Sequence, residues 1–235
     1  MKVIVIIPTL NEENNIEIII NKIIFFHKKI KILVVDDESK DNTINIVRKL
    51  NKKQVSYVIR KNDKGLGSAH KYGIIYSYLK KFDYCITMDA DGTHEPKKID
   101  QMINYLKYKN YDIINTSRFV KKNSLNDWPL YRKFLTTLRF YIVKIILNTN
   151  FDSSGGFRAY NLKKVDKKFL DSVKNNNYFF LIESLFYLEK LGYKIKDIPI
   201  KLKFRAADQS KMRLFHIIDS LWSLIKLRFI NNVQK

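Results

Sequence analysis

Hydrophobic positions in the first half of the chain alternate between two patterns. Lys2–Ile7, Lys31–Val35, Val55–Arg60, Tyr84–Met88 and Asp112–Thr116 are short, near-continuous apolar runs, as expected of strands buried on both faces of a mainly parallel sheet. Between them apolar residues recur at helical spacing. Ile16, Ile19, Ile20, Ile23 and Ile24 follow an expected cap at Asn11, and Ile44 to Leu50 follow Ser39 or Asp41. Gly67–Lys81 and Pro96–Lys107 supply two further predicted helices, the second opened by proline in its first turn. The order is βαβα, which predicts an α/β fold with a doubly wound sheet flanked by helices.

The second half has a different rhythm. Lys121–Asp127 is a polar loop, and Leu130–Leu147 is a helix candidate with Tyr131, Phe134, Leu138, Tyr141, Ile142 and Ile145 at helical spacing among Arg132, Lys133, Arg139 and Lys144. Phe151–Tyr160 holds Ser153-Ser154-Gly155-Gly156-Phe157-Arg158, a turn with a positive centre. Tyr178–Leu191 is again helical and carries Glu183, whereas Ile198, Ile200, Leu202 and Phe204 alternate as in a half-buried strand. Met212–Ile230 is predicted to be an amphipathic helix, with Leu214, Ile218, Leu221 and Ile225 opposite Arg213, His216, Asp219, Ser223 and Lys226.

Composition narrows the class. With 46% hydrophobic residues and only 7 Gly and 4 Pro in 235, the chain has a core to bury, so disordered and collagen-like readings fail. Cys85 is alone and cannot form an internal disulfide, which suits a reducing compartment. The apolar run Val3–Ile7 stops at Pro8 and is too short for a secretory leader, and no run of about 18 apolar residues exists, so neither export by that route nor a membrane span is expected. Lys and Arg number 44 against 23 Asp and Glu, a formal net charge of +21. Part of that excess is exchangeable surface lysine; as a field it attracts nucleic acid, anionic membrane or phosphorylated substrates.

Ligands of doubly wound sheets sit beyond the carboxyl ends of the strands. There the sequence places Pro8-Thr9-Leu10-Asn11-Glu12, Asp36-Asp37, Asp89-Ala90-Asp91 and Ser117-Arg118. Where the chain turns at a strand's end, both carboxylates of Asp89-Ala90-Asp91 can reach one hard divalent cation whose other ligands are diphosphate and water. An isolated D-x-D is more often an ordinary acidic turn. Its position at the end of an apolar strand, beside three other polar strand ends, favours the metal. One carboxylate of Asp36-Asp37 is expected to face the crevice and accept from a base or ribose. Asn62 to Ser68 fits neither G-x-x-x-x-G-K-[ST] nor G-x-G-x-x-G and is taken as a glycine-permitted loop entering a helix. Arg118, Arg158, Arg205, Lys211 and Arg213 sit among turn and strand-end signals, where guanidinium groups suit phosphate. The four histidines lack partners at zinc spacing, no G-x-S-x-G elbow occurs, and no nucleic-acid-binding module is recognisable.

Taken in order, Pro8 to Glu12, Val35 to Asp41, Met88 to Gly92, Ser117-Arg118, Ser154 to Tyr160, and Arg205 through Ser210-Lys211-Met212 resemble the inverting glycosyltransferases of family 2, with the GT-A fold. The last two segments are most similar to the branch of dolichol-phosphate mannose synthases and polyprenyl-phosphate sugar transferases. Three positions depart from the usual pattern: Leu10 stands in place of an aromatic, Thr93 in place of a metal-binding Gln, and Asp208 in place of Gly. The resemblance implies a nucleotide pocket from Pro8, Leu10, Glu12, Val35 and Asp37. It puts Asp89, Ala90 and Asp91 on the donor diphosphate, with Asp89, Asp91 and the Thr93 position around Mg²⁺ or Mn²⁺. Arg118, Arg158, Arg205 and Lys211 would surround the phosphates. It further implies transfer of a hexose, mannose from GDP-mannose first, to a polyprenyl phosphate at the cytoplasmic face of a membrane, by a peripheral protein to which a membrane-anchoring subunit is a further candidate partner. The whole chain would form one domain, with residues 1–118 as the nucleotide-sugar half and 119–235 as the acceptor half with membrane-facing helices. A lipid monophosphate is largely dianionic near neutral pH and needs no protein base. The alternative, a glycan or lipid hydroxyl, would need one, for which Asp91 and Glu183 are the candidates.

Overall fold

A computed structural model describes residues 1–121, 124–201 and 222–229. Five strands run near the predicted positions: β1 (Val3–Thr9), β2 (Lys31–Asp36), β3 (Val55–Ile59), β4 (Tyr84–Thr87) and β5 (Ile113–Ser117). Four helices alternate with them: α1 (Ile16–Phe26), α2 (Thr43–Leu50), α3 (Leu66–Leu79) and α4 (Lys98–Tyr108). After α5 (Leu130–Leu147) come β6 (Arg158–Asn161), the short α6 (Phe169–Ser172), α7 (Phe180–Lys190) and β7 (Ile195–Pro199), with a helical turn α8 at 222–229.

The seven strands form one sheet in the order β3-β2-β1-β4-β6-β5-β7. All neighbouring pairs are parallel except β6, which runs antiparallel to both β4 and β5. Three expectations change here. The turn at Phe151–Tyr160 ends in β6, a central strand too short and too polar to carry an apolar run. The strand expected over Ile198–Phe204 begins earlier, at Ile195, and Leu202 and Phe204 lie outside the described residues. Asn11 does not cap α1. It adopts φ 55°, and its N–H donates to Ser39 Oγ while its Oδ1 accepts from Lys40 N, both at 2.8 Å. The start of α1 is satisfied instead by the Glu12 carbonyl, which accepts from Asn15 N and Ile16 N. A bond across the crevice thus displaced a local cap.

Both sheet faces are covered. One apolar cluster joins Val5, Ile7 and Ile86 to Ile19 and Ile23 of α1 and to Ile99, Met102 and Leu106 of α4. The opposite cluster joins Ile6, Val35 and Cys85 to Ile74 of α3 and to Phe180, Leu185 and Leu188 of α7. This two-sided burial is the reason the parallel strands read as unbroken apolar runs. A third cluster lies outside the sheet: Val143 and Leu147 of α5 pack with Phe179, Ile182 and Phe186, and with Leu224 and Leu227 of α8.

The fit of α3 on β1 depends on Gly73. A Cβ there would come within 2.2 Å of Ile6 Cγ2. Overpacking of this kind typically costs about 1–3 kcal/mol, so Gly73→Ala should lower stability by about 2 kcal/mol in urea unfolding. A variant as stable as the parent would show that α3 packs less tightly than this.

Candidate active site

At the carboxyl ends of β1, β2 and β4 lies a cleft of about 770 Å³. Pro8, Leu10, Glu12, Asp37, Asp89, Ala90 and Asp91, all expected from the sequence, line it together, joined by Glu38, Lys40, Lys64, Gly65, Asn177 and Tyr178.

The adjacent acids after β2 divide into two tasks. Asp36 is fully buried. It accepts from Thr9 Oγ1 at 2.9 Å and from Ser39 N and Oγ at 2.8 and 2.6 Å, so it locks the ends of β1 and β2 together. Asp37 is the one that reaches the cleft. Its Oδ1 pairs with the Arg60 guanidinium and its Oδ2 accepts from Gly65 N at 2.7 Å. Arg60 was not singled out by the sequence, yet it also reaches Ser68 Oγ and the carbonyls of Asp63 and Gly65, so one buried cation organises the loop before α3. Gly65 sits at φ 131°, and a Cβ on Gly67 would lie 2.4 Å from Phe180 Cβ. These glycines therefore serve close packing of the loop on residues 176–180.

Beyond β4, Asp89, Ala90 and Asp91 turn into the cleft together. Asp91 Oδ1 accepts from Thr93 N at 3.0 Å and Thr93 Oγ1 at 2.6 Å. Thr93 is outside the cleft lining, and its hydroxyl is committed to Asp91, so it orients a ligand where the resemblance implied it would be one. No group of three or more His, Cys, Asp or Glu side chains is gathered for a metal among the described residues. Two hard carboxylates in an open cleft fit a divalent ion that takes its remaining ligands from diphosphate and water.

A histidine was missed. His94 is buried, accepts at Nδ1 from Asp89 N at 3.1 Å, and stacks on Phe157 with ring centroids 5.0 Å apart. The signal was its place three residues after the acidic pair, but a lack of partners at zinc spacing says nothing of one histidine bonded to a backbone N–H. His70, beneath the cleft, is also buried. Desolvation, reinforced by the charges of Arg158 and His94, pushes its pKa down to about 3, so it stays neutral at physiological pH.

Three expected site residues have other work, and a fourth, Arg118, is oriented by partners of its own. Val35 is buried in the apolar cluster beneath α3, and its side chain does not reach the cleft. Glu183 spends both carboxylate oxygens on Lys174 N and Asn175 N, shaping the loop that delivers Asn177 and Tyr178. Arg118 pairs with Asp152 and Ser154. Burial alone would raise the Asp152 pKa, but the Arg118 guanidinium and its hydrogen bonds outweigh that and hold it well below the usual carboxylate range. Arg158 is fully buried, bonded to Asn115 Oδ1, Ser184 Oγ and the carbonyls of Ser153 and Leu181 at 2.7–3.0 Å. No phosphate can reach it, so it is removed from the phosphate-binding set. Arg205, Lys211 and Arg213 lie outside the described residues.

A doubly wound sheet with one antiparallel central strand, and a cleft that presents paired carboxylates beyond its parallel strands, defines a glycosyltransferase of the GT-A type. Residues 4–169 match the description "Glycosyl transferase family 2", so the chain belongs to that family. Over 215 residues it is 29% identical to the undecaprenyl-phosphate mannosyltransferase of Micrococcus luteus, covering 90% of this chain and 88% of that one. Over 227 residues it is 27% identical to the polyprenol monophosphomannose synthase of Mycolicibacterium smegmatis, covering 95% and 85%. The fold is shared with glucosyl-3-phosphoglycerate synthase of Mycobacterium tuberculosis, solved with Mn²⁺, UDP-glucose and phosphoglyceric acid. Here the TM-score is 0.68 at 17% identity, over 97% of this chain and 79% of that one.

The reassignment of Arg158 is open to test. The Arg158 partners are neutral, and each buried acceptor left without its donor costs about 1–3 kcal/mol. Arg158→Met should therefore lower stability by that order in urea unfolding, while the fraction that remains folded still binds nucleotide. Parent-like stability combined with lost nucleotide binding would restore it to the phosphate site.

Proposed function

We propose that the enzyme transfers mannose with inversion from GDP-mannose to a polyprenyl phosphate, working as a peripheral protein at the cytoplasmic face of a membrane. The observation that carries this reading is the joint lining of one cleft by the paired carboxylates of Asp89 and Asp91 and the strand-end residues Pro8, Leu10, Glu12 and Asp37. The names of the two curated relatives agree on the mannosyl group and on a polyprenyl-phosphate acceptor.

Asp89 and Asp91 would hold Mg²⁺ or Mn²⁺, and the ion would neutralise charge on the departing nucleoside diphosphate. At the other end of the cleft Lys64 pairs with Glu38, which takes the left-handed conformation at φ 61°. An ammonium beside a carboxylate offers donor and acceptor side by side. Guanine, with O6 beside N1–H, and uracil, with O4 beside N3–H, both complement such a pair, so it supports contact with a base and the choice of GDP-mannose rests on the mannosyl relatives.

A lipid monophosphate attacks as the dianion present near neutral pH, so the protein need not remove a proton. The commitment of Glu183 to backbone N–H groups fits that chemistry. The protein supplies in-line placement and charge neutralisation. Arg118, held by Asp152 and close to Arg139, is the described candidate for the acceptor phosphate, with Arg205 and Lys211 proposed beside it. The division of labour follows the chain, with residues 1–118 for the donor and 119–235 for the acceptor.

Among the described residues no helix is long and apolar enough to cross a membrane. An exposed apolar face supports docking to one. Leu130, Tyr131, Phe134, Leu135, Leu138, Tyr141 and Ile145 form an exposed stripe on α5, with Leu130 at 84%, Phe134 at 65% and Ile145 at 76% exposure. Trp222 and Phe229 are exposed on α8, where Lys226 lies 5.6 Å over the Trp222 ring. An apolar stripe flanked by Lys and Arg suits an anionic headgroup layer. It also adjoins the cleft: Tyr178 lines the cleft, and Phe179, the next residue, packs on α5.

Purified protein given labelled GDP-mannose and a short polyprenyl phosphate should move label into organic solvent, stop on chelation, and prefer GDP-mannose to UDP-glucose. Asp91→Asn should lower the rate about a hundredfold or more. Full activity in excess chelator would overturn the metal assignment, and label recovered only on a hydroxyl acceptor would overturn the lipid phosphate.

In vesicle flotation the protein should rise with anionic vesicles, less so at high salt. The doubly substituted Phe134→Ser, Tyr141→Ser protein should stay largely in the soluble fraction while keeping its circular dichroism. Equal flotation of the two proteins would remove α5 from the docking face.

A further inference from the structure

Asp89 is held from two sides by residues that neither line the cleft nor enter the transfer chemistry above. On one side is His94. Its Nδ1 accepts from Asp89 N at 3.1 Å, so in the neutral ring the hydrogen sits on Nε2. That nitrogen lies 3.7 Å from Asp89 Oδ2, an electrostatic contact longer than a hydrogen bond. The imidazole is itself fixed, being buried and stacked on Phe157. On the other side is Gly156. A Cβ built there would stand 3.0 Å from Asp89 Oδ1 and 3.7 Å from Oδ2. The Gly156 carbonyl accepts from Thr87 Oγ1 at 2.6 Å, and the Phe157 carbonyl accepts from Thr116 Oγ1 at 3.0 Å. The backbone wall is thereby anchored to β4 and β5.

We infer that His94 and Gly156 form a clamp that sets the direction of the Asp89 carboxylate, making His94 a positioning residue for the divalent ion. The physical case has three parts. A carboxylate on a turn has rotamer freedom that an ion must otherwise freeze, and the clamp removes it before binding. The His94 ring bonds the Asp89 backbone and faces its carboxylate at once, so it couples the turn to the side chain. Glycine leaves that space open, since a Cβ 3.0 Å from Oδ1 would be a tight contact that pushes the carboxylate aside. Groups behind a ligand commonly tune metal affinity about 10–100-fold.

The inference rests on the proposed metal reading, and Mn²⁺ binding separates the two. The free Mn²⁺ signal in electron paramagnetic resonance is titrated with protein and GDP, and GDP affinity in excess EDTA is measured alongside. His94→Phe keeps a ring to stack on Phe157 and loses both nitrogens. It should weaken Mn²⁺ binding about 10–100-fold and leave metal-free GDP affinity unchanged. Gly156→Ala should give the same pattern through the opposite wall, which covers the case of His94→Phe failing to fold. His94→Asn keeps an acceptor for Asp89 N–H and should recover part of the loss. If the parent binds Mn²⁺ and both His94→Phe and Gly156→Ala bind it equally well, the clamp is wrong while the metal reading stands. If the parent binds no Mn²⁺ with GDP, the metal reading falls and the clamp with it. Equal loss of metal-free GDP affinity in both variants would mean a general disturbance of the cleft, and would overturn the positioning role.

Discussion

The buried guanidinium of Arg158 is the constraint on which the two halves of the molecule depend. Taking a cation out of water costs several kcal/mol, recovered only where its donors are satisfied. Here they are satisfied by Asn115 of β5, Ser184 and Leu181 of α7, and Ser153 in the loop before β6. All four must therefore converge. β6 can then lie only between β4 and β5, antiparallel to both, and its leading turn is driven against the acidic end of β4. The sheet thus closes around one charge, and Gly156 meets Asp89 as a consequence.

The acids at the strand ends show how partners decide roles. Asp36, Asp37, Asp89 and Asp152 are chemically alike, yet Asp36 is consumed by hydroxyls and an N–H, Asp152 by Arg118, and Asp37 by Arg60 and Gly65. The Asp89–Asp91 pair opens onto the cleft, where a hard cation and a diphosphate suit it. Placement of the pair at the mouth of an otherwise tightly bonded crevice is what a binding site for charge requires, and the surrounding bonds hold it open. The same logic separates the basic residues: Arg60 and Arg158 build the site's walls, whereas the lysines around the cleft supply field.

The apolar stripe on α5 reverses the usual economy of an amphipathic helix. Val143 and Leu147 face inward on α7, whereas the aromatic positions face out. A net charge of +21 opposes self-association of such a surface in solution and draws it toward an anionic layer. Apolar contact and long-range attraction then favour the same neighbour.

Much of this was legible from residue order alone. Strands buried on both faces leave unbroken apolar runs, and helices between them leave 3.6-residue periodicity, so the first five strands and α1 to α5 could be placed within a few residues. Strand ends in such a sheet are also the ligand edge, which made Pro8 to Glu12, Asp37 and Asp89 to Asp91 visible as a site. What residue order does not carry is pairing at a distance. β6 is four residues long and contains a charge, so no local pattern marks it as central. Asn11 looks like a cap until Ser39 and Lys40 claim it. Arg158 and Arg118 look alike in their turns, and Arg60 looks like the end of an edge strand. Whether an arginine meets a ligand or an interior carbonyl, and whether His94 faces solvent or Asp89, is settled by which segments the closed core brings together. Periodicity and composition therefore determined the layers and the edge that binds, and tertiary packing alone assigned each polar group its partner, because desolvation makes a buried charge take whatever donor or acceptor the core delivers.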